Sequence, residues 1–367
     1  MDGGEEFAQA LTDMVEQVWK AKGMPEELIS KPVTAHYARQ LWNGVTEGYG
    51  TIAEKFNLGI IDYTTPDFDK LAALQSNTWT FSSAKNYTQL RQLSQALIGD
   101  DGKLRNYRSF KEAAMLINDT HKNQYLKAEY NLAVAGGQMA SKWVQIKENE
   151  ATLPMLEFDA VMDRRTSDIC RPLNGTVLPV SDPFWSMYYP PNHFGCRSTV
   201  RQRAGRAATP HHDVPSAEIP PMFRTNLAEH GLIFPKGHAY FVDLPENVND
   251  VSFLRNEMRD IAIERLKGKI VEVDKIGSVH ITKSGIKKCI AQKLSPEFYS
   301  FKNQLVPFSN RLLENAYNIK EELNRTNNGL KVWKAKVKGL NNFNVVIKEE
   351  KHDGKIINVL YSITAHK

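Results

Sequence analysis

The amino-acid sequence predicts a multidomain α+β protein with an elongated helical N-terminal body, a Cys/His-stitched loop region, and a small C-terminal α+β domain with an antiparallel meander. Three observations predict it. Before residue 150, apolar residues recur at three- and four-residue steps with little strand character. Residues 155–200 turn aromatic and proline-rich and hold two of the three cysteines. The last hundred residues contain stretches that alternate apolar and basic positions at a period of two.

A chain of 367 residues is long enough for two or three domains. The divisions read from its composition are a helical body at 1–154, a Cys/His loop core at 155–200, an extended linker or arm at 201–249, and a linking helix plus basic α+β domain at 250–367, with its core at 269–367. The opening MDGGEEFAQAL has neither a basic n-region nor an apolar h-region, so no secretory signal is expected. No run approaches the ~18 apolar residues of a membrane span, and a soluble, intracellularly made protein is expected. Three cysteines do not make a disulfide framework in a chain of this length. Residues 269–367 hold 18 Lys and Arg against 9 Asp and Glu, a net of +9 on a remainder of net −4. That asymmetry favours a polyanion partner, DNA or RNA, and is equally the mark of a lysine-rich solvated surface.

Residues 5–22 place Phe7, Leu11, Met14, Val15, Val18 and Trp19 on one helical face. A second helix is expected over 34–57. After a break from Gly59 to Pro66, proline in a first turn restarts a helix at Thr65, Pro66 and Asp67, and another is expected at 83–98. A long helix follows at 109–147, with Ser109 as N-cap, Glu112 as capping-box partner, and a bend at Gly136 and Gly137. Residues 157–161 alternate like a strand. Residues 201–221 lack periodicity and carry four prolines, which reads as a linker. Residues 250–267 read as a helix with Val251, Leu254, Met258, Ile261 and Leu266 inward. Short strands at 270–273 and 278–282 and helices at 284–294 and 309–323 precede three strands at 331–338, 342–350 and 355–364. Asp353 and Gly354 suit the last tight turn, and Cys289 reads as a buried core thiol beside Ile286 and Ile290.

Cys170, His193 and Cys196 carry the chemistry of the loop. HxxC is one half of a tetrahedral zinc site, but the other half reads Ser167, Asp168, Ile169, Cys170 where CxxC would complete it. Asp163 or Asp168 would then supply the fourth ligand. Without metal, the same residues would stitch the loop by packing and hydrogen bonds, with His193 stiffly presented after Pro190 and Pro191. A disulfide suits a cytosolic product poorly, and a Cys/His nucleophile needs an orienting group and a cleft that no nearby residue announces. Zinc and metal-free stitching both stay open.

Several pieces in order carry a family resemblance: Asp163, Arg164, Arg165 and Thr166; Cys170; Asn174 and Gly175; Pro183, Phe184 and Trp185; Pro190, Pro191, Asn192 and His193; Cys196 and Arg197. Over about residues 100–200 this resembles phage Mu F-type minor head proteins, the phage head-morphogenesis family, many of which carry a cysteine where this chain has Ser167. The resemblance implies a minor head protein acting in capsid assembly in the virion. Its implied partners are the portal protein and capsid or scaffold proteins, and host cytoplasm is its place during assembly. Arg164, Thr166, Asn174, Gly175, Trp185 and Arg197 would be structural, with Arg164 pairing Asp163.

Residues 279–288 (VHITKSGIKK), then Leu312, Leu313, Glu314, Asn315 and Ala316, then the meander, resemble polyvalent domains appended to phage head proteins, similar to the barnase, EndoU, colicin and RelE ribonucleases. This implies an alternative role as a polymorphic-toxin-like effector with a metal-independent ribonuclease domain. Such chemistry needs a base, an acid and phosphate-binding cations. The candidates are His280, Thr282, Lys283, His352 and His366, with Lys334, Lys336 and Lys338 against the nucleic acid.

Overall fold

The computed structural model describes residues 3–248, 252–322 and 329–365, so His366 and Val251 lie outside the described residues. The chain forms two compact units. The first comprises residues 1–54 and 73–250, the second residues 55–72 and 251–367.

In the first unit, α1 (Gly3–Ala21) buries the expected face. Phe7, Met14 and Val18 pack with Tyr37 of α2 (Lys31–Tyr49), with Leu90 and Leu93 of α4 (Pro66–Gln95), and with Phe110 of α5 (Tyr107–Asp119). The helix expected at 34–57 is divided at Gly50, after which α3 (Thr51–Leu58) begins. Pro66 starts α4 as expected, but the separate helix expected at 83–98 is the continuation of the same one, which ends at Gln95. Its middle buries Gln75, Thr78, Ser82, Lys85, Asn86 and Gln89, so no apolar stripe marks it in the sequence.

The helix expected at 109–147 is three segments: α5, a π-helical stretch Thr120–Tyr125, and α6 (Leu126–Asn149). Its N-cap is Asn106, whose side chain accepts from the Ser109 amide at 3.0 Å, and Glu112 pairs with Arg108 instead of closing a capping box. Gly137 serves the approach of α2 to α6: a Cβ there would stand 2.5 Å from the Val45 carbonyl oxygen.

Strands β1 (Met155–Asp159), β2 (Val177–Pro179) and β3 (Thr199–Arg203) form an antiparallel sheet in the order β2-β1-β3. Lys142 of α6 donates to Thr199 Oγ1 and the Val200 carbonyl at 2.7 and 3.0 Å. The stretch read as a linker therefore begins as β3. It is then tied down where the Thr209 amide donates to Val177 O at 2.7 Å and where Ile219 is buried. Beyond it, Asn77 of α4 holds the backbone of Ile233 and Phe234 through three hydrogen bonds.

The second unit is built on a six-stranded sheet. The strands are β4 (Ile270–Val273), β5 (Gly277–His280), β6 (Ala316–Glu322), β7 (Val332–Val337), β8 (Leu340–His352) and β9 (Lys355–Ala365), in the order β4-β5-β9-β8-β7-β6. The meander and its turn are as expected, with Asp353 and Gly354 both at positive φ. On β7, Ala335 and Val337 face the core while Lys336, and Lys338 just after the strand, are exposed. Helices α9 (Ser252–Leu266), α10 (Lys283–Ala291), α11 (Pro296–Leu305) and α12 (Ser309–Glu314) pack in the same unit, and Cys289 is buried. The helix expected at 309–323 stops at Glu314. The following residues pair with β7 as β6, because satisfying a strand's open edge outweighs the helical preference of Lys and Glu side chains. Phe56 and Phe68 pack on Phe308, which draws residues 55–72 into this unit.

Candidate metal centre

The loop from β1 to β2 is turned back on its own strand. Asn174 Oδ1 accepts from the Ala160 amide at 2.9 Å, and the Gly175 amide donates to Phe158 O at 2.8 Å. Thr166 closes the turn ahead of it, accepting from the Asp163 amide at 2.7 Å and donating to backbone carbonyls. The Arg197 guanidinium grips the Asp163 carboxylate at 2.8 and 2.6 Å, and the Arg165 amide adds a third donor. These donors hold the Asp163 carboxyl well below the usual carboxylate range. The expected pairing of Asp163 with Arg164 is thus corrected: Arg164 is exposed, and the residue directly after Cys196 takes its place. The result is a clasp between the two ends of the motif.

The other side is anchored by aromatics from α7 (Phe184–Tyr188) and its exit. Trp185 is buried and its indole N–H donates to Pro179 O at 2.9 Å. Tyr189 is buried and its hydroxyl donates to Met139 O at 3.0 Å. Asn192 then bonds back to Tyr188 O, and a tight turn brings the Cys196 amide to His193 O at 3.2 Å. Gly195 occupies that turn at φ +72°, a conformation glycine adopts without a Cβ penalty.

These anchors bring Cys170, His193 and Cys196 together, their ligand atoms all within 4.8 Å of one another. The two sulfurs are 3.7 Å apart, and Cys170 Sγ lies 3.4 Å from His193 Nε2. His193 Nδ1 donates to Phe194 O at 2.8 Å, which aims Nε2 at the sulfurs. Ser167 Oγ is 2.8 Å from the same Nε2 and accepts from the Cys170 amide. The hydrogen bond from Cys196, with others from His193, Ser198 and Ser167, pulls the Cys170 thiol down to about 4 against the effect of burial. Its charged sulfur in turn raises His193 and Cys196, so the two cysteines titrate as a pair with Cys170 the thiolate.

Neither aspartate expected as fourth ligand joins the cluster. Asp163 is engaged by Arg197, and Asp168 is exposed. Sequence reasoning met Ser167 only as the residue standing where CxxC would begin, and did not single out Ser198 or Gly195. Only the pattern of Gly195 before Cys196 in a short turn was there to be noticed.

The C-terminal candidates are not assembled into one site. His280 sits half-buried on β5 opposite Val359 of β9. Thr282 is engaged as N-cap of α10, accepting from the Gly285 amide at 2.9 Å, and Lys283 is the exposed first residue of that helix. His352 is exposed in the β8–β9 turn beside Asp353. Lys334 and Lys336 lie on β7, three strand spacings from β5, or about 14 Å at ~4.8 Å each, and Lys338 follows that strand.

Residues 88–201 match the family model of phage Mu protein F like protein, and residues 249–360 match that of large polyvalent protein-associated domain 3. Over 61 residues the chain is 38% identical to the Mu-like prophage FluMu F protein of Haemophilus influenzae, covering 17% of this chain and 15% of that relative. Over 72 residues it is 33% identical to the putative capsid assembly protein F of Escherichia phage Mu, covering 20% of this chain and 16% of that relative. The matches therefore span under a fifth of the length of these curated relatives. No solved structure matches the chain. Among the described residues, no helix is long and apolar enough to cross a membrane. The cluster of Cys170, His193 and Cys196 thus lies within a phage Mu F-like domain, and the basic sheet lies within a polyvalent-protein-associated one.

Proposed function

We propose that this chain is a minor head protein of a Mu-like tailed phage, acting in capsid assembly beside the portal and remaining in the virion. The observation that carries this reading is the Mu F-like match together with how its motif folds. Pieces spread from Asp163 to Arg197 converge on one clasp and one Cys/His cluster, so the motif specifies a rigid bracket. The geometry favours a scaffold over a reaction site. The recess lined by Ser167, Cys170, His193 and Arg197 holds only about 20 Å³, room for a single water-sized occupant and far below a substrate pocket. Head-protein partners follow from the name of the phage Mu relative, which is a putative capsid assembly protein.

The test is deletion of the gene from its phage or prophage, with complementation by the intact chain. Purified wild-type particles should contain the chain at low copy by mass spectrometry. The deletion should yield empty or aberrant heads, and portal and chain should co-purify when expressed together. Filled, infectious particles at wild-type yield from the deletion would overturn the assignment.

A further inference from the structure

Three donor atoms of metal-binding type lie within 4.8 Å of one another in the first unit, two of them lining a small recess, and their spacing can be compared with a coordination shell. A tetrahedral zinc ion with Zn–S bonds of ~2.3 Å sets two sulfurs about 3.8 Å apart. With a Zn–N bond of ~2.0–2.1 Å, the same tetrahedron sets sulfur and nitrogen about 3.6 Å apart. The structure has 3.7 Å between Cys170 Sγ and Cys196 Sγ, and 3.4 Å between Cys170 Sγ and His193 Nε2. Both edges fall within 0.2 Å of the ideal.

We propose that Cys170, His193 and Cys196 bind one zinc ion, with the Ser167 hydroxyl oxygen at the fourth corner. The donor set has two cysteine sulfurs, which bind zinc as thiolates, and an imidazole, and this selects zinc over hard cations such as magnesium or calcium. The imidazole is oriented as a ligand should be, because its Nδ1–H is committed to Phe194 O and its Nε2 lone pair points into the recess. The recess of about 20 Å³ admits one ion. Both cysteines are free, with their sulfurs 3.7 Å apart against the ~2.05 Å of a disulfide bond. Ser167 Oγ stands 2.8 Å from Nε2, closer than the ~3.3 Å of a tetrahedral N–O edge, so this corner is the weak one and needs a small rotation of the hydroxyl. The clasp of Arg197 on Asp163 holds the chain segments on either side of the ligands and serves as their support.

The site stands apart from the role in head assembly, and a metal-free protein would leave that role untouched. The test uses the full chain, purified under reducing conditions, stripped with a chelator and titrated with zinc against a chromophoric competitor. Cobalt loading is followed by visible absorption. Wild type should take up one equivalent, and the cobalt form should show tetrahedral ligand-field bands with thiolate charge transfer. Cys196→Ser and His193→Gln should lose the equivalent while retaining the wild-type circular dichroism spectrum at low temperature. Ser167→Cys keeps every ligand and supplies a third thiolate, so it should tighten zinc about tenfold or more, ~1.4 kcal/mol per decade. Absence of stoichiometric zinc in the wild type, whatever the variants do, would overturn the proposal. So would an equivalent that survives both Cys196→Ser and His193→Gln. No tightening in Ser167→Cys would overturn the place given to Ser167.

Discussion

Replacing Lys85 by methionine should destabilise the first unit more than any surface change, and the reason can be read from its surroundings. The Lys85 side chain is fully buried, and its ammonium donates to Glu129 Oε2 at 2.5 Å and to His121 O at 3.1 Å. It also lies 4.8 Å from the centroid of the Tyr37 ring. Burial lowers the Lys85 pKa and raises that of Glu129, and each charge is tolerable only because the other is there. Lys85→Met leaves a carboxylate in the core without its counter-ion, and Glu129→Leu leaves an ammonium. Either should cost about 3–5 kcal/mol. The double variant Lys85→Met, Glu129→Leu removes both charges at similar volume and should be more stable than either single one. A pH signature follows. With Lys85 gone, the folded Glu129 carboxyl titrates above its unfolded value. The penalty is then full at high pH and shrinks as pH falls through that raised value, so the loss should be smaller near about pH 5 than near about pH 8. Urea unfolding followed by tryptophan fluorescence reads this directly, because Trp19, Trp42, Trp79, Trp143 and Trp185 lie in the first unit and Trp333 alone in the second. A Lys85→Met variant within about 1 kcal/mol of wild type, or a double variant less stable than both singles, would refute the reasoning.

Two further outcomes can be measured in the same way. Gly48→Ala would place a Cβ 1.9 Å from the Val134 carbonyl oxygen where α2 crosses α6, so the overpacking cost of about 1–3 kcal/mol or more should exceed the ~1 kcal/mol gained in helix propensity. Gly4→Ala, with nothing within 4 Å, should show no such loss in a thermal melt, and equal melting of the two variants would refute the contact. In the second unit, Lys302 is buried and donates to the carbonyls of Cys289, Ile290 and Gln292 at the end of α10. Burial depresses it to about 8 from the ordinary 10.5. Between those values the unfolded chain holds the proton that the folded chain has released. The cost of charging is therefore full below about 8 and relieved as pH rises, so wild type should gain on Lys302→Met from about pH 8 to about pH 10. An unchanged gap, followed through Trp333 fluorescence, would count against a desolvated ammonium.

How far the sequence carried depended on whether the deciding interaction was local. The buried face of α1, the start of α4 at Pro66, the three meander strands and the Asp353–Gly354 turn all announce themselves through periodicity or turn chemistry within a few residues. The HxxC spacing likewise put His193 and Cys196 side by side, whereas Cys170 joins them only in the fold. The continuity of α4 past its first turns did not show, since its middle buries Gln75, Thr78, Ser82, Lys85, Asn86 and Gln89 and offers no clean apolar stripe. Strand β6 did not show because its residues are individually suited to helix, and only the edge of β7 makes them a strand.

By itself, then, the sequence determined which segments have a buried face and which residues of the loop carry sulfur and imidazole. Tertiary structure alone decided their company: that Asp163 answers to Arg197, that the Ser167 hydroxyl stands beside His193, that Lys85 meets Glu129, and that residues 55–72 join the C-terminal unit through Phe56 and Phe68. The physical reason is that pairing of charges and closing of packed gaps depend on distance in space, and a chain's local pattern sets propensity without setting which distant partner comes within reach.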